Sequence, residues 1–339
     1  MPYSQPNIAV IGAGAWGTAL ARHLAAKGLP IRLWAYEPDV AGAIERHHEN
    51  LRFLPGIPLP SSLKATSSLG EAVEQTELII FAVPSHAARS VLQQLAPFLV
   101  DPIPLISATK GIEENTLKLM SEVIHETLAS QPHCPLAVLS GPSFAIEVCK
   151  GLPTAVVLAG TDQELVRRLQ HLMMTQALRV YAGADVMGVQ LGGALKNVMA
   201  VAAGVVDGLQ LGHNARAALI TRGLAEMIRL GHAMGAETRT FYGLSGIGDL
   251  VLTCTGPLSR NYTVGVRLGQ GERLADILKD TAAVAEGVRT SRAAAGLANR
   301  YQIEMPIVKE VCCVLFEGKA PRQAVSELME RAAKDEAEC

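Results

Sequence analysis

The chain has 339 residues and is almost electrically neutral, with 30 basic and 32 acidic residues and a formal net charge of −2. The length predicts about two domains, and the mixed charges exclude the basic surface that nucleic acid or an anionic membrane would require. No apolar run of about 18 residues and no signal-like start is found, so we expect a cytoplasmic protein without integral membrane association. The six cysteines form no C-x-x-C pair and no zinc-ligand spacing, which predicts reduced structural thiols and no metal.

A glycine-rich turn near the start of the chain predicts a dinucleotide site. Gly12, Gly14 and Gly17 form a G-x-G-x-x-G pattern that follows the apolar run 8–11 and opens the helical run 16–26. In such a turn the first glycine allows the tight bend, the second lets the backbone approach a pyrophosphate, and the third lets the helix pack on the strand. The pattern alone is a weak signal, because many glycine-rich turns bind nothing, so its context must decide.

The segment that follows supplies this context. Gly28 suits a helix C-cap, 31–34 has the composition of a second strand, and Glu37 lies about 20 residues beyond the last glycine of the pattern. An acidic side chain at that distance can hydrogen-bond the ribose hydroxyls of adenosine. The sequence therefore favours a βαβ dinucleotide-binding unit over a turn of purely structural meaning.

Apolar runs and helical segments alternate through the first half of the chain, which predicts a parallel, doubly wound sheet. The predicted strands are 78–83, 105–107, 136–139 and 155–158, and the predicted helices include 87–95 and 116–128. In this architecture ligands bind outside the carboxyl ends of the strands. We therefore expect three segments that follow strands to converge on the cofactor crevice: 83–86, 107–111 and 140–145.

Long helical segments replace this alternation from about residue 185 onward. They cover 186–208, 215–234 and 282–300. The predicted fold is α/β, with an N-terminal Rossmann-type doubly wound sheet followed by an all-helical C-terminal domain, divided as 1–187 and 188–339.

Lys196 lies in the middle of the first of these apolar helices. A lysine is costly to bury there unless it is paired or used in chemistry, and the alternative is a side chain that snorkels to the surface. Two glycines just before it, Gly192 and Gly193, indicate that another element approaches closely, which disfavours a free surface position.

A third informative stretch is rich in glycine and short polar side chains. Asp249 could be a helix N-cap and Arg260 a solvated charge, or both could serve a site. Arg260 stands between Ser259 and Asn261, and an arginine beside hydroxyl and amide groups suits phosphate because its planar fork binds two oxygens at once.

These segments together resemble the bacterial NAD(P)-dependent sn-glycerol-3-phosphate dehydrogenases over nearly the whole chain. The segments that carry the resemblance, in order and at the family's spacing, are 12–19, 83–86, 108–111, 140–145, 188–198, 221–227, 248–254 and 259–261. The resemblance implies reversible hydride transfer between NAD(P)H and dihydroxyacetone phosphate to give sn-glycerol 3-phosphate, which supplies the glycerol backbone of phospholipids. Apart from the resemblance, we expect a homodimer that forms through the helical domain.

The resemblance also implies roles for individual residues. Lys196 matches the family's proton-transfer lysine, and desolvation in its apolar helix would lower its pKa toward the working range. Asp249 would orient the lysine or a substrate hydroxyl. The implied substrate-binding residues are Lys110, Gly141, Ser143, Lys196, Asp249, Ser259, Arg260 and Asn261. The implied cofactor-binding residues are Gly12, Gly14, Ala15, Trp16, Gly17, Tyr36, Phe53, Lys110, Ala145, Arg260, Val284 and Glu286, although the family varies at Ala15, Trp16, Tyr36 and Phe53.

The sequence carries signals for both nicotinamide cofactors. Glu37 stands where a carboxylate favours NAD, whereas Arg32 and Arg52 are close enough in sequence to favour NADP. The resemblance favours NADPH, with NADH as the alternative.

Two other functions fit the same two-domain plan. One is a dehydrogenase of unphosphorylated hydroxy acids, which would not need 259–261 together with Lys110. The other is a protein that senses NAD(P) without turnover, which would have no use for Lys196.

Overall fold

The computed structural model describes residues 6–132, 134–280, 285–333 and 335–336. The chain divides into two compact units. The first unit comprises Met1–Thr109 and Met120–Val186, and the second comprises Lys110–Leu119 and Met187–Cys339. The segment 110–119 thus departs from the sequence-based division. It groups with the second unit because Ile112 and Leu119, which pair across a β-bridge, are buried in the core of that unit.

Among the described residues, eight short strands of the first unit form one sheet, in the order β3-β2-β1-β4-β5-β6-β7-β8. The central strands are buried on both faces, as expected for continuous apolar runs between two layers of helices. The strands are β1 (Ile8–Ile11), β2 (Ile31–Trp34), β3 (Leu63–Thr66), β4 (Leu78–Phe81), β5 (Leu105–Ser107), β6 (Leu136–Ser140), β7 (Thr154–Gly160) and β8 (Leu178–Gly183).

The strand directions confirm the Rossmann-type fold and correct one detail of it. Strands β1 to β6 are parallel, but β7 runs antiparallel to β6, and β8 follows the direction of β7. The expectation of a wholly parallel sheet is therefore wrong at this edge. The strand order reverses at β1, which lies between β2 and β4, and this is the point at which doubly wound sheets bind ligands.

Helices cover both faces of this sheet. Alternate residues of β1 show the two layers: Ile8 and Val10 belong to one core cluster, and Ala9 and Ile11 belong to the other. The helices are α1 (Ala15–Ala25), α2 (Pro38–His47), α3 (Leu69–Val73), α4 (Ser85–Leu95), α5 (Met120–Thr127), α6 (Ala145–Cys149) and α7 (Gln163–Met173), with a 3-10 turn at Ala96–Phe98. Helix α5 begins four residues later than predicted, since Leu117 has a φ of 61° and 110–119 belongs to the other unit.

The described part of the second unit is helical apart from the bridge noted above. Its helices are α8 (Val186–Gly208), α9 (Gly212–Ala233), α10 (Thr238–Phe241), α11 (Asp249–Thr255), α12 (Arg260–Gly269), α13 (Leu274–Lys279), α14 (Glu286–Tyr301), α15 (Pro306–Phe316) and α16 (Pro321–Met329), with a π-helical turn at Leu244–Gly248. Of the helix predicted over 282–300, residues 282–284 lie outside the described residues.

Helix α8 forms the centre of this unit. By length and composition it could cross a membrane, so the expectation that no stretch of the chain is apolar enough was too strong. The apolar window is completely buried against the other helices, however, which is the environment of a core helix.

Helices α8 and α12 approach each other through glycines. A Cβ added at Gly204 would lie 2.0 Å from the carbonyl oxygen of Tyr262, and one at Gly265 would lie 2.0 Å from that of Val201. Only glycine permits such a backbone separation. This close contact fixes the N-terminal half of α12 relative to the C-terminal half of α8.

Helix α15 begins on a buried carboxylate from α9. The Glu226 side chain accepts hydrogen bonds from the backbone N–H groups of Ile307, at 2.6 Å, and Val308, at 3.2 Å. Burial raises the pKa of Glu226 to about 7, although the two hydrogen bonds act in the opposite direction and lower it. The segment 221–227, which contributes to the family resemblance, therefore contains a helix-capping residue.

Candidate active site

Two lysines in the second unit share one buried carboxylate. Lys196 Nζ lies 2.5 Å from Asp249 Oδ1, and Lys110 Nζ lies 2.8 Å from Asp249 Oδ2. The Asp249 side chain is fully buried, whereas the side chains of Lys196 and Lys110 keep 9% and 17% of their surface exposed. The two ammonium groups thus carry a local excess of positive charge that is partly open to solvent.

Close backbone packing places these three side chains together. A Cβ at Gly192 would lie 2.2 Å from the carbonyl oxygen of Ser245, so α8 touches the π-helical turn directly. Asp249 follows this turn as the first residue of α11 and reaches Lys196 one helical turn further along α8. The interpretation of Gly192 as a point of close approach is confirmed. Lys196 is buried and paired rather than snorkelling, and Asp249 binds two lysines, with no side-chain cap hydrogen bond to α11.

Burial lowers the pKa of Lys196 from 10.5 to about 8. Desolvation of the ammonium group is the largest cause; the Asp249 carboxylate opposes it, and the neighbouring charge of Lys110 lowers the pKa further. A lysine in this range can both donate and accept a proton near neutral pH.

Thr253 belongs to the same cluster, although sequence reasoning did not select it. Its Oγ1 donates to the Asp249 carbonyl oxygen at 2.6 Å and lies 3.4 Å from Asp249 Oδ1. Thr253 is four residues after Asp249, so both side chains fall on one face of α11. That spacing was the available signal.

A second polar group lies where α8, α12 and α14 meet. Asn261 Nδ2 donates to Asn197 Oδ1 at 2.9 Å, and Asn261 Oδ1 accepts from the backbone N–H of Gly287 at 2.9 Å. A Cβ at Gly287 would lie 2.4 Å from the carbonyl oxygen of Asn197, which explains the glycine. Asn197 was not selected from the sequence; its position next to Lys196 was the only signal.

The remaining predicted residues of this unit lie around the start of α12. Ser259 is the N-cap, and its Oγ accepts from the backbone N–H of Tyr262 at 3.3 Å. Arg260 is exposed as the first residue of the helix. Glu286, at the start of α14, is near enough to Arg260 to interact with it electrostatically. Val284, also predicted to contact cofactor, lies outside the described residues.

In the first unit, the glycine-rich turn has the geometry that a pyrophosphate requires. Gly12 has a φ of 115°, and a Cβ at Gly17 would lie 1.9 Å from the carbonyl oxygen of Gly12. A Cβ at Gly14 would meet no atom within 4 Å, so the space beside this residue is open. Gly14 is also the N-cap of α1 and makes no side-chain cap. The turn fits a dinucleotide, because it presents bare backbone to an open space at the N-terminus of a helix.

The buried side chain of Asn50 holds this turn in place by hydrogen bonds. Its Nδ2 donates to the carbonyl oxygen of Ala13 at 2.8 Å and to Thr18 Oγ1 at 2.9 Å, and its Oδ1 accepts from the backbone N–H of Phe53 at 3.0 Å. Asn50 is completely buried. No pattern in the sequence pointed to it, because its two partners in the turn, Ala13 and Thr18, lie more than 30 residues away.

Other predicted residues of the first unit fall into two groups. Ala15, Trp16 and Ala145 pack against one small apolar cluster at the start of α1 and α6. Gly141, with a φ of 133°, and Ser143, whose Oγ donates to the Gly141 carbonyl oxygen at 2.9 Å, follow the carboxyl end of β6. Both ends point to the same edge of the sheet, since β1 and β6 are parallel.

The side chains considered from the sequence for cofactor choice lie after β2 and after α2. Tyr36 is 72% exposed and meets Trp34 edge to face, and Phe53 lies under the Arg52 guanidinium. Arg52 faces Glu37, with 3.7 Å between Nη1 and Oε1.

Arg32, the other arginine considered from the sequence, is held elsewhere. Its Nη1 donates to the carbonyl oxygens of Glu71 and Glu74, at 2.9 and 2.6 Å. Within the described ranges, no group of three or more histidine, cysteine or acidic side chains is arranged to hold a metal ion.

Comparisons with known proteins agree on one family. The models for the N-terminus and the C-terminus of NAD-dependent glycerol-3-phosphate dehydrogenase match residues 7–166 and 185–326. A glycerol-3-phosphate dehydrogenase of Geobacter metallireducens that uses NAD(P)+ is 54% identical, covering 97% of this chain and 98% of its own.

Solved structures extend this agreement to the fold. Glycerol-3-phosphate dehydrogenase from Coxiella burnetii matches with a TM-score of 0.93 and 42% identity, over 96% of this chain and 99% of its own. The yeast enzyme matches with a TM-score of 0.81 and 27% identity, over 97% and 100%. D-mandelate dehydrogenase shares the fold alone, with a TM-score of 0.65 at 14% identity, over 94% and 99%.

Proposed function

The chain belongs to the NAD-dependent glycerol-3-phosphate dehydrogenase family, and from this premise we propose how its residues carry out the reaction. It is an oxidoreductase, an NAD(P)-dependent glycerol-3-phosphate dehydrogenase. We propose that it reduces dihydroxyacetone phosphate to sn-glycerol 3-phosphate reversibly, with Lys196 as the general acid and base. The observation that carries this role is the burial of Lys196 beside Asp249, together with a pKa of Lys196 that is lowered to about 8.

The chemistry divides between a hydride and a proton. A bound nicotinamide cofactor supplies the hydride for the carbonyl carbon or accepts it from the alcohol carbon. In the reducing direction the Lys196 ammonium donates a proton to the oxygen as it becomes an alkoxide; in the oxidising direction the neutral amine removes the hydroxyl proton. Asp249 holds the amine in place, and Lys110 stabilises the developing negative charge on oxygen.

The substrate phosphate needs donors, and we assign it to the start of α12. Arg260 provides an exposed planar guanidinium there. Asn261 has one Nδ2 hydrogen bonded to Asn197 and its oxygen bonded to Gly287, so its amide is fixed with the second N–H left to donate. Ser259, Gly141 and Ser143 are proposed as further substrate contacts because they occupy the matching positions of the family.

The cofactor pyrophosphate is assigned to the glycine-rich turn, at Gly12, Gly14 and Gly17. The remaining residues proposed on the cofactor side are Ala15, Trp16, Tyr36, Phe53, Lys110, Ala145, Arg260, Val284 and Glu286, of which Val284 and Glu286 would lie beside the nicotinamide half. We propose NADPH as the preferred form, on the family resemblance, with NADH also accepted.

Three wider features are part of the proposal. We propose that the product supplies the glycerol backbone of phospholipids, that the enzyme resides in the cytoplasm, and that it acts as a homodimer. The last point is the simplest to test: sedimentation of the purified protein should give twice the chain mass of 35.9 kDa.

One assay separates this function from the two alternatives. Purified protein is mixed with NADPH and dihydroxyacetone phosphate, and oxidation is followed by loss of nicotinamide absorbance, with unphosphorylated dihydroxyacetone and NADH as parallel comparisons. We expect oxidation that depends on the phosphate. Turnover of unphosphorylated hydroxy acids instead would favour the first alternative, and nucleotide binding without any turnover would favour a sensing protein, although a sensor gives no reason to bury Lys196 on Asp249.

A further inference from the structure

An ion pair that is partly open to solvent joins Glu37, the N-cap of α2, to Arg52 in the turn that follows α2. Glu37 Oε1 and Arg52 Nη1 are 3.7 Å apart, and their side chains are 30% and 47% exposed. At this distance and exposure the attraction is weak, because water screens it and no short hydrogen bond has formed. Either side chain can therefore exchange its partner for a ligand group at small cost.

The Arg52 guanidinium nevertheless has a defined position. It lies over the Phe53 ring, 5.2 Å from the ring centroid. Phe53 packs against the core of the first unit, and its backbone N–H is held by Asn50. Since Asn50 also binds the carbonyl oxygen of Ala13, the cation is tied to the glycine-rich turn through one buried residue.

Arg32 and Arg52 differ in what they can do. Arg32 is bonded to two backbone carbonyl oxygens and lies 3.9 Å from the Glu74 carboxylate. Arg52 has a single exposed carboxylate as its ion-pair partner among the described side chains. Two acidic side chains stand nearby at the start of α2, Glu37 as the N-cap and Asp39 in the first turn, and they would repel an added phosphate unless a cation offset them.

We propose that the Glu37–Arg52 pair is the specificity determinant for the ribose 2′ position and admits both dinucleotides. Glu37 accepts hydrogen bonds from the adenosine ribose hydroxyls of NADH while Arg52 stays paired with it. A 2′-phosphate instead draws Arg52 away from Glu37, and the guanidinium fork binds two phosphate oxygens. This inference rests on the proposed function only in taking the ligand to be a nicotinamide dinucleotide.

The test measures binding without substrate. NADH and NADPH, which differ only in the 2′-phosphate, are titrated into the full-length protein, and the dissociation constants are read from nucleotide fluorescence. Arg52→Gln should weaken NADPH about tenfold or more while NADH changes by less than about twofold. Glu37→Gln should weaken NADH about threefold and tighten NADPH. Added salt should weaken NADPH more than NADH in the parent and should lose this difference in Arg52→Gln.

Two further variants keep the result interpretable. Arg52→Lys retains the charge but not the fork, and it should fall between the parent and Arg52→Gln. Arg32→Gln removes a charge from β2 and should leave the ratio of the two dissociation constants unchanged. Thermal unfolding of each variant shows whether it is folded.

The inference fails if Arg52→Gln weakens both nucleotides equally or if Arg32→Gln shifts their ratio as strongly as Arg52→Gln does. Its failure is distinguishable from failure of the proposed function. Absence of dihydroxyacetone phosphate turnover with the predicted binding ratios would refute the reaction alone, and turnover with a ratio unaffected by Arg52→Gln would refute the specificity pair alone.

Discussion

The two candidate sites differ in the groups that they offer to a ligand: one offers backbone groups and the other offers charged side chains. The glycine-rich turn of the first unit presents backbone, and its constraints are spatial: a Cβ at Gly17 would lie 1.9 Å from the carbonyl oxygen of Gly12. The lysine cluster of the second unit presents side chains, and its constraints are electrostatic, since two cations share the buried Asp249. The first site should therefore respond to changes in side-chain volume, and the second site should respond to changes in charge.

The largest expected effect is at Lys196. Lys196→Met keeps a long apolar stem but removes the proposed proton donor, so kcat should fall by about 10²- to 10⁴-fold, the usual contribution of general acid–base catalysis. The nucleotide dissociation constant should not change. Lys309→Met, on an exposed position of α15, is the matched control. Steady-state kinetics decide the matter, and a near-normal kcat in Lys196→Met would remove this lysine from the mechanism.

The next largest effect is expected at the glycines of the turn, where two alanine substitutions can be compared directly. Gly17→Ala would force a methyl group into backbone and should lower the free energy of unfolding by about 1–3 kcal/mol, as overpacking does. Gly14→Ala adds the same methyl group where no atom lies within 4 Å, at φ −66° and ψ 175°, which alanine adopts freely. It should fold normally but bind NADH and NADPH more weakly.

Denaturant unfolding measures the stability of the Gly17→Ala and Gly14→Ala variants, and nucleotide titration measures their affinity for NADH and NADPH. Equal stability of the two variants would show that the turn is not limited by volume at Gly17. Unchanged nucleotide affinity in Gly14→Ala would place the pyrophosphate elsewhere.

The same contrast explains which features could be predicted from the sequence. The turn is local, with its three glycines, the flanking strand and helix and the acidic residue in one short segment, so the pattern and its immediate context were sufficient to predict the turn. The cluster joins residues 53 and 139 positions apart, and spacing alone could not bring Lys110, Lys196 and Asp249 together. The family resemblance selected them, and the structure now supplies their contacts.

The missed features share a physical cause. Strands β3 and β8 are partly exposed, so they lack the continuous apolar runs of the central strands, and the direction of β7 depends on the tertiary path of the chain. Asn50 and Asn197 are buried amides whose partners come from distant segments. A single asparagine in the sequence does not show which distant residues its side chain will contact.

The pH dependence should show a smaller effect that belongs to the charged site. In the proposed mechanism reduction requires protonated Lys196, whose pKa is about 8, so kcat/KM for dihydroxyacetone phosphate should be flat below that pH and fall about tenfold per pH unit above it. Oxidation of glycerol 3-phosphate should show the opposite trend, rising up to about the same pKa. In Asp249→Asn the carboxylate no longer raises the pKa of Lys196, so both transitions should move to lower pH. Profiles that do not shift would mean that another group titrates.

The smallest expected effect concerns Thr253, which hydrogen-bonds Asp249. Thr253→Val replaces the hydroxyl by a methyl group of similar size and removes the hydrogen bond to the Asp249 carbonyl oxygen. We expect kcat to fall about three- to tenfold, the equivalent of one neutral hydrogen bond, while Thr253→Ser restores it. If the charged site depends on the orientation of Asp249, the pH profile of Thr253→Val should shift in the direction of Asp249→Asn but by less. A fall in kcat without any such shift would mean that the threonine acts by packing, and the electrostatic description of the cluster would then stop at the two lysines and Asp249.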